Sequence, residues 1–227
     1  MNDSNPLLLL HGALGSATQL SPMKAALEKH GRQVVVVNFS GHAGEPFNLS
    51  GFGIDTFAQD VLAFLDRTGL AKVDIFGYSM GGYVALWFAH RYPGRVGRIV
   101  TLGTKFDWNP ESAAREIRKM DPDKIAAKVP AFARILESRH GVHVWRELLA
   151  KTAAMMKELG DKPLLTEETF EAITNPVEIV LGDLDDMADR AWSEQVAGML
   201  PRGSFRLLEN TPHPIEKTDF VPFLELR

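Results

Sequence analysis

The chain has no cysteine among its 227 residues. Disulfides, thiolate nucleophiles and cysteine-based metal sites are excluded, and the redox compartment cannot be read from this composition. Positive charge is not in excess either. The formal net charge is −4, so no polyanionic partner is suggested and nucleic-acid binding lacks its basic footprint. Long apolar runs are missing: Leu7–Leu10 stops at His11-Gly12 and reads as a buried strand, not a signal peptide or membrane span. No basic segment precedes it, so cytoplasm is the default expectation. Repeats and low-complexity linkers are also lacking. What remains is an ordinary globular composition, 45% hydrophobic and 24% charged. That suits one α/β domain with a large core and a modest insertion.

The most informative stretch is Val73-Asp-Ile-Phe-Gly-Tyr-Ser-Met-Gly-Gly82. A β-branched apolar run meets Gly77-Tyr78-Ser79-Met80-Gly81, and a helical pattern follows at once. Strand, tight turn and helix are the setting in which G-x-S-x-G presents a nucleophile. The bland alternative is a Gly-rich turn between a buried strand and a helix.

Around that stretch, strand and helix patterns alternate. Strands are expected at Leu7–Leu10, Val34–Val37, Val73–Phe76, Arg98–Leu102, Val177–Leu181 and Phe205–Leu208. Helices are expected at 18–29, 54–68, Met80–Arg91, Asp189–Leu200 and Ile215–Leu226. The alternation breaks after Lys105. Residues 105–174 show no convincing strand and read as helices at Glu111–Lys119, Asp123–Ser138, Val142–Leu159 and Glu167–Ala172. Alternating strands and helices imply an α/β fold with a mostly parallel sheet of about six strands covered on both faces. Ligands bind beyond the carboxyl ends of such strands, where the Gly-rich loops converge. The domain expectation is a core of 1–104 and 175–227, with 105–174 inserted.

Four blocks, in order, carry a family resemblance: His11-Gly12 after the first strand, Gly77–Gly82, Gly182-Asp183-Leu184-Asp185 after a late strand, and His213 before the last helix. The chain resembles the α/β-hydrolase superfamily, whose order of serine, acid, histidine these blocks follow. The insert stands where that family places its helical lid. One departure is plain: only six residues precede Leu7, so the family's usual N-terminal hairpin is expected to be missing.

A serine hydroxyl needs a base within hydrogen-bond reach, and the base needs an orienting partner. Of seven histidines, the resemblance selects His213, in the loop Asn210-Thr-Pro-His-Pro214. His11 and His42 are expected to be structural. His30, His90, His140 and His143 are expected on surfaces or in packing. For the acid, Asp183, Asp185 and Asp186 compete; the family spacing favours Asp185. The oxyanion donors are expected at the backbone N–H of Met80 and of Ala13, with Leu14 as the alternative to Ala13. The implied activity is a serine hydrolase acting on an ester, thioester or related acyl bond of a small, mostly apolar substrate, without metal or cofactor. Carbon–carbon bond hydrolases, lyases and cofactor-free perhydrolases use the same triad, and a non-catalytic ligand receptor on this fold is a further alternative. In the insert, Phe106, Trp108, Ile117, Phe132, Ile135, Leu136, Trp145, Leu148, Met155 and Met156 are candidates for packing or for lining a pocket. The Met pair reads as core filler, and no basic cluster suggests an anionic substrate.

Overall fold

In the computed structural model, residues 5–223 are described. The first strands are short and entirely apolar: β1 (Leu7–Leu10) and β2 (Val34–Val37), separated by α1 (Ser21–Lys29). Then come α2 (Ile54–Thr68), β3 (Val73–Tyr78), α3 (Met80–Arg91) and β4 (Val96–Leu102). Five helices follow without a described strand: α4 (Pro110–Ile117), α5 (Pro122–Lys128), α6 (Pro130–His140), α7 (Trp145–Asp161) and α8 (Glu167–Ala172). The chain closes with β5 (Val177–Leu184), α9 (Arg190–Met199) and β6 (Gly203–Pro212).

The six strands form one sheet in the order β2-β1-β3-β4-β5-β6, and every described pairing is parallel. Burial on both faces explains the unbroken apolar runs, because side chains alternate across a strand. Leu8 and Leu10 pack with α2 and α3 in one cluster, which includes Phe57, Val61, Val84 and Phe88. Leu7 and Leu9 pack on the opposite face with Leu20, Met23, Leu27 and Phe223. A third cluster joins Leu14, from the loop after β1, to Leu136 of α6 and Trp145, Leu148 and Leu149 of α7.

The strand order reverses at β1. The chain steps from β1 outward to β2, then returns to place β3 on the other side of β1. At such a switch point the loops leaving β1 and β3 diverge and open a crevice at the strands' carboxyl ends. His11–Gly15 and Ser79 lie on those two loops.

Three expectations need correction. The helix expected over Asp123–Ser138 is two, α5 and α6, broken at Val129-Pro130. A residue before proline is pushed out of the helical region, and Val129 sits at φ −135°, ψ 58°. The helix expected over Ile215–Leu226 is absent in its described part. Ile215–Lys217 and Val221–Phe223 form single 3-10 turns, separated by the non-helical residues 218–220; residues 224–226 lie outside the described residues. The last strand is longer than Phe205–Leu208, reaching Pro212 through a register shift opposite Gly182 and Leu184. Among the described residues, no helix is long and apolar enough to cross a membrane.

Candidate functional site

Ser79 stands between β3 and α3 at φ 52°, ψ −119°, a backbone conformation that disfavours any residue with a Cβ. Strain of this kind costs about 1–3 kcal/mol and persists only where surrounding structure dictates it. Here the surroundings are specific. The Ser79 N–H donates to Leu102 O at 2.8 Å, and Thr104 Oγ1 donates to Ser79 O at 3.0 Å. The flanking glycines are needed for close approach. A Cβ on Gly77 would lie 2.5 Å from Gly81 O, and one on Gly81 would lie 2.4 Å from Leu10 O. The turn therefore presses against β1 and lifts Ser79 to the sheet edge, with Met80 as the first residue of α3. The first N–H groups of a helix have no intrahelical acceptor.

His213 and Asp185 are brought together by strand pairing. β5 and β6 run side by side until Leu184 pairs with Pro212; the next residues on the two strands are Asp185 and His213. His213 Nδ1 donates to Asp185 Oδ2 at 2.7 Å. The pair is sheltered, with 2% of the Asp185 side chain and 9% of the His213 side chain exposed. The other carboxylate oxygen, Asp185 Oδ1, accepts the N–H groups of Met187 (2.8 Å) and Ala188 (3.0 Å). The His213 carbonyl accepts the Tyr78 hydroxyl at 3.0 Å, tying the loop after β6 to β3. Asp183 is exposed and takes the Thr211 N–H at 3.1 Å, and Asp186 is exposed. Of the three carboxylates, Asp185 is the one that meets the ring.

Gly103 is a residue that sequence reading does not reveal. It follows β4 at φ 61°, and a Cβ there would lie 2.8 Å from Asp185 Oδ2 and 3.2 Å from His213 Nδ1. Its significance depends on a contact made across three strands.

Ser79, His213, Met80 and Ala13 line one cavity of about 650 Å³. Much of its wall is apolar and comes from 105–174: Trp108, Met120, Phe132, Ile135, Met155, Met156 and Leu159. Met155 and Met156 thus face the cavity as well as packing, which corrects their reading as filler alone. Leu136, Trp145 and Leu148 are core residues. Lys217 and three further cations, Lys105, Lys119 and Arg139, also reach the cavity wall, a convergence the sequence did not suggest. Lys105, Lys119 and Arg139 have an acid nearby: Asp107 at 2.7 Å, Glu116 at 2.8 Å and Glu216 at 3.9 Å, respectively.

His11 and His42 are fully buried and outside the cavity wall. His11 Nδ1 donates to Gly12 O at 2.8 Å, and its Nε2 accepts the Phe39 N–H at 3.3 Å. Burial lowers its pKa to about 4. His42 Nδ1 donates to Ser40 O at 3.1 Å, and burial holds its pKa well below 6.5. His140 is buried with them, and its ring lies 5.7 Å from that of His42. Among the described residues, no three His, Asp or Glu side chains converge so as to hold a metal ion.

A family model described as the alpha/beta hydrolase fold matches residues 5–198. A zebrafish (Danio rerio) sn-1-specific diacylglycerol lipase, ABHD11, is 33% identical over 44% of this chain, but that match spans only 32% of the lipase. The provisionally named carbamate hydrolase RutD of Stutzerimonas stutzeri is 25% identical over 100% of this chain and 91% of its own length. The crystal structure of NosK from Streptomyces actuosus superposes with a TM-score of 0.81 at 25% identity, covering 99% of this chain and 96% of that one. The family model and the two curated relatives support a hydrolase in general terms.

Proposed function

The chain belongs to the α/β-hydrolase fold family, and from that premise we propose that it is a serine hydrolase. Its substrate is a small, mostly apolar ester, thioester or related acyl compound. The observation that carries this reading is the strained Ser79 opening on the same cavity as a His213 ring already bonded to a sheltered carboxylate.

Ser79 Oγ attacks the acyl carbon. His213, whose Nδ1–H is committed to Asp185, takes the serine proton on Nε2 and returns it to the leaving group. Asp185 holds that tautomer and stabilises the imidazolium. The tetrahedral oxyanion is received by the N–H groups of Met80 and Ala13; such a donor accounts for about 3 kcal/mol in the transition state. Water then repeats the sequence on the acyl-enzyme, releasing the acid. Residues 105–174 act as a lid whose apolar side chains choose the acyl group; three of the four cations on the wall have an acid nearby, and the fourth, Lys217, is exposed to solvent.

The test is a fluorophosphonate probe with a panel of esters, thioesters and vinylogous diketones. Labelling at Ser79, abolished in Ser79→Ala, is expected together with ester turnover. An unlabelled Ser79 with no turnover on any substrate would sink the proposal; turnover of the diketones alone would redirect it to carbon–carbon cleavage.

A further expected outcome concerns Gly103→Ala. The added methyl must displace Asp185 or His213 and must also tolerate a left-handed backbone. Displacements of this order cost about a hundredfold in rate. Steady-state kcat per titrated active site is the measurement, and a native kcat would show that the Asp185–His213 geometry has slack to spare.

A further inference from the structure

We infer that Arg139 and His140, at the end of α6, position the oxyanion donor Ala13 through a relay of two peptide planes. The inference rests on the acyl-transfer reading above. It assigns a role to a histidine that sequence reading leaves to packing.

The C=O and N–H of one peptide unit lie in a plane and point in opposite directions, so holding the oxygen aims the hydrogen. The Leu14 carbonyl is held by two donors from α6, Arg139 Nη1 at 2.8 Å and His140 Nε2 at 2.9 Å. The opposite end of that plane is the Gly15 N–H, which donates to Gly12 O at 3.0 Å. Gly12 O also accepts from His11 Nδ1 at 2.8 Å. The opposite end of the Gly12 plane is the N–H of Ala13, a residue that lines the cavity with Ser79. Three hydrogen bonds thus run from α6 to the direction of one N–H group, and a fourth, from His11, holds the same Gly12 plane.

Two further observations show that the arrangement is built. Leu14 sits at φ 57°, strained like Ser79, and its side chain is locked into the cluster with Leu136, Trp145 and Leu148. His140 is only 3% exposed, and its Nδ1 accepts the Ala43 N–H at 3.0 Å. That bond leaves the proton on Nε2, where it faces Leu14. Burial lowers the His140 pKa, favouring the same neutral form. The insert is therefore fastened to the loop after β1 by polar contacts as well as by apolar packing.

His140→Leu removes both ring contacts without touching the cavity wall. Its kcat per fluorophosphonate-titrated site is expected to fall about ten- to a hundredfold, with KM changed by less than about threefold, because the lost interaction belongs to the transition state. A boronic acid, which places an anionic oxygen in the hole, is expected to weaken by the same factor. His140→Gln, which keeps a donor near the Nε2 position, is expected to recover most of the loss. A histidine with only a structural role would lower the melting temperature and leave kcat per titrated site and boronate affinity alone; that result overturns the relay. If His140→Leu does not fold, Arg139→Met deletes the other donor; because Arg139 also lines the cavity, the relay then requires boronate affinity to fall at least about tenfold more than affinity for an uncharged cavity ligand, and an equal fall in both overturns it. Failure of the native chain to react with the probe would instead remove the acyl-transfer reading, and the relay with it.

Discussion

Ser79→Ala is expected to lower kcat by about a millionfold with the fold intact, the scale seen when a serine nucleophile is deleted. The fold should persist because the bonds that define the turn use the main chain of residue 79: its N–H to Leu102 O, and Thr104 Oγ1 to its carbonyl. Alanine meets the same φ penalty as serine, so the strain is unchanged. Thermal unfolding should therefore shift little, and binding of a non-reactive substrate analogue should survive. Asp185→Asn provides the companion measurement. Asp185 Oδ1 receives two backbone N–H groups while Oδ2 receives the His213 ring. An asparagine amide group cannot accept at both ends. Either it faces the two N–H groups, or it faces His213 Nδ1 and forces the other tautomer. A loss of about ten-thousandfold is expected. Asp183→Asn keeps the acceptor for Thr211 and is expected to stay within a few-fold of native. If Asp185→Asn retains near-native kcat, the acid lies elsewhere and the assignment fails.

The sheet and the turn at Ser79 are legible in the sequence for definite reasons. Gly77 and Gly81 are demanded by backbone contacts that no other residue satisfies, so the turn is written in residue type. Leu7–Leu10 carries strand character because both faces are covered. Another feature was legible but underread. Pro130 interrupts a helical pattern, and the chain breaks there into two helices. A last group had no local signal. The end of β6, Glu209–Pro212, is polar and ends in proline, and it is held in strand pairing by β5 alone. The partners of His140 are 97 and 126 positions away, so its hydrogen bonds exist only once the insert has packed on the loop after β1. The site's chemistry is local to short motifs, whereas its alignment depends on contacts between distant segments.

The three buried histidines make acid stability the second large effect. His11, His42 and His140 are neutral in the fold and crowd together, with rings 5.0 Å apart for the first two and 5.7 Å for the last two. Burial is the leading cause of each lowered pKa; the His140 and Arg139 charges add to it for His11, the Arg139 charge for His140, and His11 and His140 for His42. In the unfolded chain these groups titrate near 6.5 and in the fold below it. Between those values the unfolded state binds more protons, so stability is full above pH 6.5 and is lost as pH falls towards the folded values. For His11 the window runs from 6.5 down to about 4, equivalent to about 3 kcal/mol at 1.36 kcal/mol per unit. His42 and His140 act with the same sign. Urea unfolding at intervals between pH 7 and 4.5 should therefore show a steep decline before most carboxylates titrate, and a flat profile would refute it. His42→Phe separates this cause from general acid weakening. His42 Nε2 is buried without a partner among the described residues, and its ring already packs against Phe52 and Phe57. Phenylalanine gives up the bond to Ser40 O but removes the orphaned nitrogen, so stability at pH 7 should hold within about 1 kcal/mol. The acid slope should fall by one proton, because the unfolded state of the variant has one fewer group to charge.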